Sequence, residues 1–171
     1  GWGFVPLTKY QGGGPEAVLE PLQDHLKDYE MLMMQYYGAG VQACYRGPRL
    51  YDTEKTKQLV VKTISWYKLY RNILNSPIIH LRRADGREWD GFMHVNPSLE
   101  DKAFVMLFNP TKTVIKQTIK LPLYYAGLTH SISITDKYNR RLNVTVDNNH
   151  EASIEVEIKP DDYSWYVVKQ L

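Results

Sequence analysis

Cysteine is nearly missing from this chain of 171 residues: Cys44 is the single one. An internal disulfide is therefore excluded, and cysteine usage leaves the redox compartment open. No apolar run is long enough to cross a membrane as a helix, and no secretory leader opens the chain. Gly1 stands where an initiating Met would. A trimmed start is the expectation, so the missing leader carries no weight about export. Surplus charge is also missing. Twenty-one Lys and Arg face nineteen Asp and Glu, a formal net charge of +2, and no basic block interrupts the sequence. Nucleic-acid binding leaves a basic footprint, so nucleic acid is not an expected partner.

What the chain has in quantity is tyrosine, thirteen residues, together with four Trp. Such rings can stack on sugar faces, but in sheet strands they serve more often as half-buried packing. The chain also changes rhythm near Asn75-Ser76-Pro77. Before that point it reads strand, helix, strand, helix. After it, short alternating strands run almost to the end.

The first half follows from periodicity. Trp2–Tyr10 is apolar and β-prone, and Gln11 with Gly12 to Gly14 permits a sharp turn. Pro21 suits the first position of a helix. Leu22, Leu26, Tyr29, Met33 and Tyr36 then recur at helical spacing, with Asp24 and Asp28 on a solvated face, and Gly38 fits a helix stop. Gly40–Tyr45 reads as a second, buried strand in which Cys44 is a small core residue. Asp52 or Thr53 can cap the next helix, whose stripe is Val60, Ile64, Tyr67, Tyr70 and Leu74. Two successive βα units imply parallel strands with helices outside.

The second half is punctuated every eight to twelve residues, as antiparallel sandwiches are. Asp85-Gly86, Asn96-Pro97, Asn109-Pro110 and Pro122 mark turns around the apolar run Phe104–Phe108 and its neighbours. Ala152, Ile154, Val156 and Ile158 alternate with Ser153, Glu155 and Glu157, the signature of a half-buried strand. The expected fold is α+β: a βαβα segment over residues 1–76, then an antiparallel β-sandwich of about eight strands over 77–171.

Several pieces then line up with a known family. GAGVQACYRGPRLYDT, the helix ending SWYKLYRNIL, the hairpin IIHLRRADGREWDGFMHVNP and the strand AFVMLFNPT occur in this order. The series resembles the C-terminal region of (β/α)8-barrel glycoside hydrolases of the α-galactosidase-like clan, where the last barrel helix leads into a β-sandwich. The resemblance implies that Trp2–Tyr10 and Val41–Tyr45 correspond to the seventh and eighth barrel strands. It also implies a secreted or periplasmic parent enzyme and, as partner, the remainder of that barrel. In the clan two aspartates on earlier barrel strands act as nucleophile and acid/base, roughly 5 Å apart in retaining enzymes. Neither position exists in this chain, so no catalytic residue carries over.

Residues just after barrel strands face substrate in this architecture. That nominates Lys9, Tyr10 and Gln11 after the first strand, and Tyr45, Arg46 and Arg49 after the second, as the rim of a sugar site. The competing reading pairs Arg46 and Arg49 with helix carboxylates and packs Tyr45. Asp85, Glu88 and Asp90 cluster at one hairpin but read as turn chemistry, as does Asp161-Asp162. His80 and His94 lie on strands that can pair, without a third metal ligand at suitable spacing. No cofactor and no metal are expected. Gly12–Gly14 lacks the Lys-Ser/Thr of a phosphate loop. Asn143-Val144-Thr145 has the pattern of a glycosylation sequon but lies inside an expected strand.

Two other function classes compete with the hydrolase portion. A stand-alone carbohydrate-binding module would use Trp89, Tyr124, Tyr125, Tyr163 and Trp165 as its platform. A protein-interaction domain would use the unpartnered barrel surface, which is expected to drive self-association because it exposes apolar area.

Overall fold

The computed structural model describes residues 2–6, 19–47 and 49–171. Their contacts divide the chain into two compact units, Gly1–Leu74 and Asn75–Leu171.

In the first unit, β1 (Trp2–Pro6) and β2 (Gln42–Arg46) pair in parallel, from Trp2 opposite Gln42 to Pro6 opposite Arg46. A 3-10 turn, Leu22–His25, leads into α1 (Leu26–Gly38), and α2 spans Glu54–Leu74. Asp24 and Asp28 are exposed, as the periodicity requires. Leu19, Leu22, Tyr29, Met33 and Val60 form the core, with Ala43 and Tyr45 packed against it. Each such side chain taken fully out of water contributes about 1.5–3 kcal/mol before entropy is counted.

One local expectation is corrected in this unit, that of a buried Cys44. The helix α1 stops at Gly38, as expected, and the left-handed residue that completes the turn after it is Gly40, at φ 66°. The amide nitrogens of Gly40 and Val41 fold back onto the carbonyls of Tyr37 and Tyr36. Cys44 is exposed. Alternation along β2 turns Ala43 and Tyr45 to the helices, and Cys44 takes the opposite face. On α2, Thr56 and Thr63 are as buried as Val60. The Thr56 hydroxyl is satisfied by Asp52 Oδ1 at 2.7 Å and that of Thr63 by the Leu59 carbonyl at 3.0 Å, which is how polar side chains enter an apolar stripe. The Thr53 hydroxyl accepts the Thr56 amide at 3.5 Å and so caps the helix.

The second unit is an antiparallel sandwich of eight strands: β3 (Ile78–Arg82), β4 (Asp90–Val95), β5 (Ala103–Asn109), β6 (Ile115–Pro122), β7 (Ser131–Asp136), β8 (Arg141–Thr145), β9 (Glu151–Ile158) and β10 (Asp162–Gln170). One layer is six-stranded, in the order β3-β4-β5-β10-β7-β8, and the other is the pair β6-β9. The alternation read from β9 is realised: Ala152, Ile154, Val156 and Ile158 are buried, and the residues between them are exposed. Across the core they share one cluster with Met93, Val105, Leu107, Ile134 and Val168. The exposed side of the β6-β9 pair carries Lys116–Glu157 and Lys120–Glu151 ion pairs, both at 3.1 Å, and a Thr118–Glu155 hydrogen bond.

The middle of the large sheet is less tolerant than its edges. All seven residues of β5 are buried, so both of its faces lie away from water. Phe104 stacks on Trp165, with ring centroids 5.5 Å apart, and Phe108 meets Phe92 at 6.1 Å. On β4, Gly91 is required by close approach, because a Cβ there would lie 2.3 Å from the Met106 carbonyl oxygen.

Asn109, at the end of β5, binds the layers together. Its amide donates to the carbonyls of Thr113, Ile158 and Lys159 at 2.8, 3.0 and 3.0 Å. Its Oδ1 accepts from the Thr111 amide and hydroxyl at 2.9 and 2.8 Å. The side chain is fully buried, so losing it strands several carbonyls in a dry environment.

Two expected outcomes follow from this packing. Asn109→Ala should lower unfolding stability by about 2–4 kcal/mol in urea melts of the sandwich transition. Gly91→Ala should cost about 2–3 kcal/mol in the same assay, since the new methyl meets backbone rather than a movable side chain. An unchanged midpoint for either variant would contradict the stated packing.

Candidate functional site

In the first unit the parallel register brings β1 and β2 to an end at the same level, Pro6 beside Arg46. Loops at the C-terminal ends of parallel strands are where α/β architectures place chemistry. Lys9, Tyr10 and Gln11 lie outside the described residues. Arg46 is the last residue of β2. Tyr45 lies one position earlier and packs toward the helices. Its hydroxyl shares a hydrogen bond with that of Tyr37 at 2.9 Å, and its ring meets Tyr29 edge-on at 6.4 Å. Burial, then the bond to Tyr37, pushes the Tyr45 phenol well above its ordinary range. Burial does the same to Tyr29, whose hydroxyl donates to the Leu50 carbonyl at 2.9 Å. These phenols are therefore neutral packing groups with polar tips.

The segment after β2 is tied back to the start of the α1 region. Arg49 makes a two-pronged contact with the Glu20 carboxylate at 3.1 and 3.0 Å. Asp52 accepts the Gln23 amide at 3.1 Å through one oxygen and the Thr56 hydroxyl through the other. Tyr45 is thus a packed ring, as the competing reading has it, and Arg49 does pair with a carboxylate, but with Glu20, which precedes the helical residues, and not with a helix carboxylate. Arg49 keeps half of its side chain exposed, with Glu20 at one-fifth. An exposed pair of this kind can exchange its partner for a ligand at little cost.

In the second unit, the hairpin carboxylates serve their turn. Arg82 binds Asp85 at 3.0 Å and Glu88 at 2.9 Å, and also donates to the Trp89 carbonyl at 2.7 Å. Asp85 Oδ1 accepts the Arg87 amide at 2.9 Å, and Gly86 takes a positive φ of 71°. The Arg82 hydrogen bond, helped by that amide, holds the Asp85 carboxyl at about 2. Burial pushes Asp90 the other way, against the pull of Arg82. His80 and His94 share a sheet face but not a register position. His94 sits opposite Ile78 and His80 opposite Phe92. His94 is fully buried, with Nδ1 at 3.0 Å from the Ser76 carbonyl. No three metal-ligating side chains come together among the described residues.

The five aromatic candidates do not form one platform. Trp89 is buried, and Trp165 stacks on Phe104. Tyr124 and Tyr125 are about two-thirds exposed and meet edge-on, with His150 against Tyr124. Tyr163 keeps company with Lys137, whose Nζ lies 4.9 Å from its ring centre. Among the described residues outside these five, the most exposed ring is Tyr138, at 63%, in the β7–β8 turn, where no apolar periodicity marks it.

No family model matches the sequence, and no curated protein matches it. Solved structures do match in fold. α-Galactosidase I from Mortierella vinacea aligns at a TM-score of 0.60 and 12% identity, covering 85% of this chain and 36% of that one. A β-L-arabinopyranosidase from Geobacillus stearothermophilus aligns at 0.56 and 13% identity, covering 84% and 30%. AmyP in complex with maltose aligns at 0.55 and 10% identity, covering 86% and 35%. The chain spans about a third of the length of each. At these identities the likeness is one of fold. It agrees with the order of motifs: the chain has the α+β fold of the C-terminal region of α-galactosidase-like hydrolases, a βαβα segment followed by an antiparallel sandwich.

The Arg82–Asp85 pair gives a pH test with a definite sign. The folded carboxyl sits at about 2, below the 3.8 of an unperturbed aspartate, so its contribution is complete above the higher value and is lost as pH falls toward the lower. The stability gap between wild type and Asp85→Asn, read from urea midpoints, should therefore close as pH drops through that window. A gap that persists to the acid end would remove the ion pair as its source.

Proposed function

We propose that this chain is the C-terminal portion of a glycoside hydrolase. In this reading β1 and β2 are the last strands of a (β/α)8 barrel, and the sandwich is an accessory domain that supports it. One observation carries the proposal. The parallel pair β1-β2 has helices packed through Ala43 and Tyr45, while Cys44 on the alternate face is exposed, and this unit precedes a sandwich with the fold found in α-galactosidase-like enzymes. Further barrel strands would supply the missing cover.

The catalytic carboxylates in this reading lie on those preceding strands, and the chain alone is inactive. Lys9, Tyr10, Gln11, Arg46 and Arg49 form the rim of the sugar site, with Tyr45 fixing the end of β2 from beneath. Arg49 would release Glu20 for a substrate hydroxyl. The partner is the remainder of the parent barrel, and an isolated chain self-associates through the face that the barrel would cover.

The size of the native protein tests this directly. An antibody raised to residues 75–171 should detect, in source cells, a band larger than the 19.9 kDa of this chain by most of a barrel, which takes roughly 250 residues. That full protein should hydrolyse nitrophenyl glycosides of galactose or arabinose, and the chain alone should not. A native band at the chain's own mass would overturn the proposal.

A further inference from the structure

A cavity of about 530 Å³ in the sandwich is lined by the second half of β9, the β7–β8 turn and the start of β10. Small-molecule sites have this size. Val156, Ile158, Ser164 and Tyr166 are buried and contribute to its lining. The aromatic content is tyrosine: Tyr166, half-buried Tyr163, and Tyr138, which is 63% exposed.

The wall formed by the β7–β8 turn is fixed before any ligand arrives. Asp136 Oδ1 accepts the amides of Tyr138 and Arg140, both at 2.9 Å, and Oδ2 accepts Arg140 Nε at 2.7 Å. Asn139 takes the left-handed conformation that closes this turn, at φ 61°. The Arg140 guanidinium lies 5.2 Å from the Tyr138 ring centre, and Lys137 Nζ lies 5.4 Å from it. Lys137 also donates to the Tyr163 carbonyl at 2.6 Å and approaches Asp162 at 3.6 Å. The ammonium group thus links the turn to β10.

The charges around this hollow cancel locally. Arg140 pairs with Asp136 at 2.6 Å, Lys137 with Asp162, and Lys116 with Glu157 at 3.1 Å. Lys159 and Glu155 complete the balance. An anionic ligand would meet as many carboxylates as cations here, and a cationic ligand the reverse. A neutral ligand with many hydroxyls faces no such penalty. Its hydroxyls can donate to the carboxylates and accept from Lys137 and Arg140, while a tyrosine ring covers its C–H face.

We infer that this cavity binds a neutral glycan segment through Tyr138, Lys137 and Tyr163. All of its lining residues belong to the second unit, and it needs no catalysis. It stands on the chemistry of the cavity and does not rest on the hydrolase reading.

The test is titration of the isotopically labelled whole chain with maltotriose and with melibiose, followed by amide chemical shifts. Shifts should move at residues 136–140, 155–159 and 162–166. Tyr138→Ala should weaken binding about tenfold, a loss of about 1.4 kcal/mol. Lys137→Gln provides a second variant that keeps the ring, and it should also weaken binding. Tyr124→Ala, on the other exposed tyrosine pair, should leave affinity unchanged. Failure of both sugars to move these residues would overturn the inference, as would shifts centred on Tyr124 and Tyr125. Stronger perturbation by inorganic phosphate would also overturn it, because the cavity would then select anions. None of these readouts requires turnover, so a failed hydrolase assay and a failed glycan site remain distinguishable.

Discussion

A parallel β-sheet is stable when both of its faces are covered, and this constraint organises the first unit and its functional reading. Tyr29, Met33 and Val60 cover one face of the β1-β2 pair through Ala43 and Tyr45. Alternation then sends Cys44 to the other face, where it is exposed. Nothing in the local sequence marks that outcome, because Cys44 is as small and apolar as a core residue should be. Its exposure belongs to the sheet and not to the residue. The same argument makes cover over the Cys44 face the natural complement to this unit.

The core between the two layers of the sandwich is built from its own residues. Its two layers enclose an apolar cluster fed by strict alternation on β9 and by the inward residues of β4, β5, β7 and β10. Asn109 then converts a β5 terminus into a junction, since one buried amide group satisfies carbonyls at both Thr113 and the end of β9. A hydrophobic core alone leaves two layers free to slide. A fully satisfied polar junction removes that freedom, because every alternative position leaves carbonyls unpaired. The Asn-Pro turn that helped to carry the family resemblance is therefore a physical device as well as a motif.

The sequence was most legible where a single period decides burial. On β9 the alternating residues map directly onto inside and outside, and the apolar run Phe104–Phe108 falls within β5, where every residue is buried. It was least legible where a tertiary partner decides. Thr56 and Thr63 broke the apolar stripe of α2 but are buried, because Asp52 and a helix carbonyl satisfy their hydroxyls. Gly38 ends α1 as its sequence position suggests, but the left-handed conformation that follows falls to Gly40. For the candidate rim, Tyr45 and Arg49 have protein partners within reach, while Lys9, Tyr10 and Gln11 lie outside the described residues. Tyr138 escaped notice because a turn has no periodicity, so exposure there depends on how Asp136 folds the backbone.

That turn also shows why composition misleads about ligands. A nearly neutral chain was reason to set nucleic acid aside, but neutrality of the whole says little about any one surface. What matters at the β9–β10 cavity is that neutrality is enforced pair by pair, with Arg140 on Asp136, Lys137 near Asp162, and Lys116 on Glu157. Paired charges of this kind are weak stabilisers at a surface. Their value lies in selectivity, since they present strong donors and acceptors side by side without a net field. A polyhydroxylated neutral molecule can use both at once, and a single-sign ion cannot.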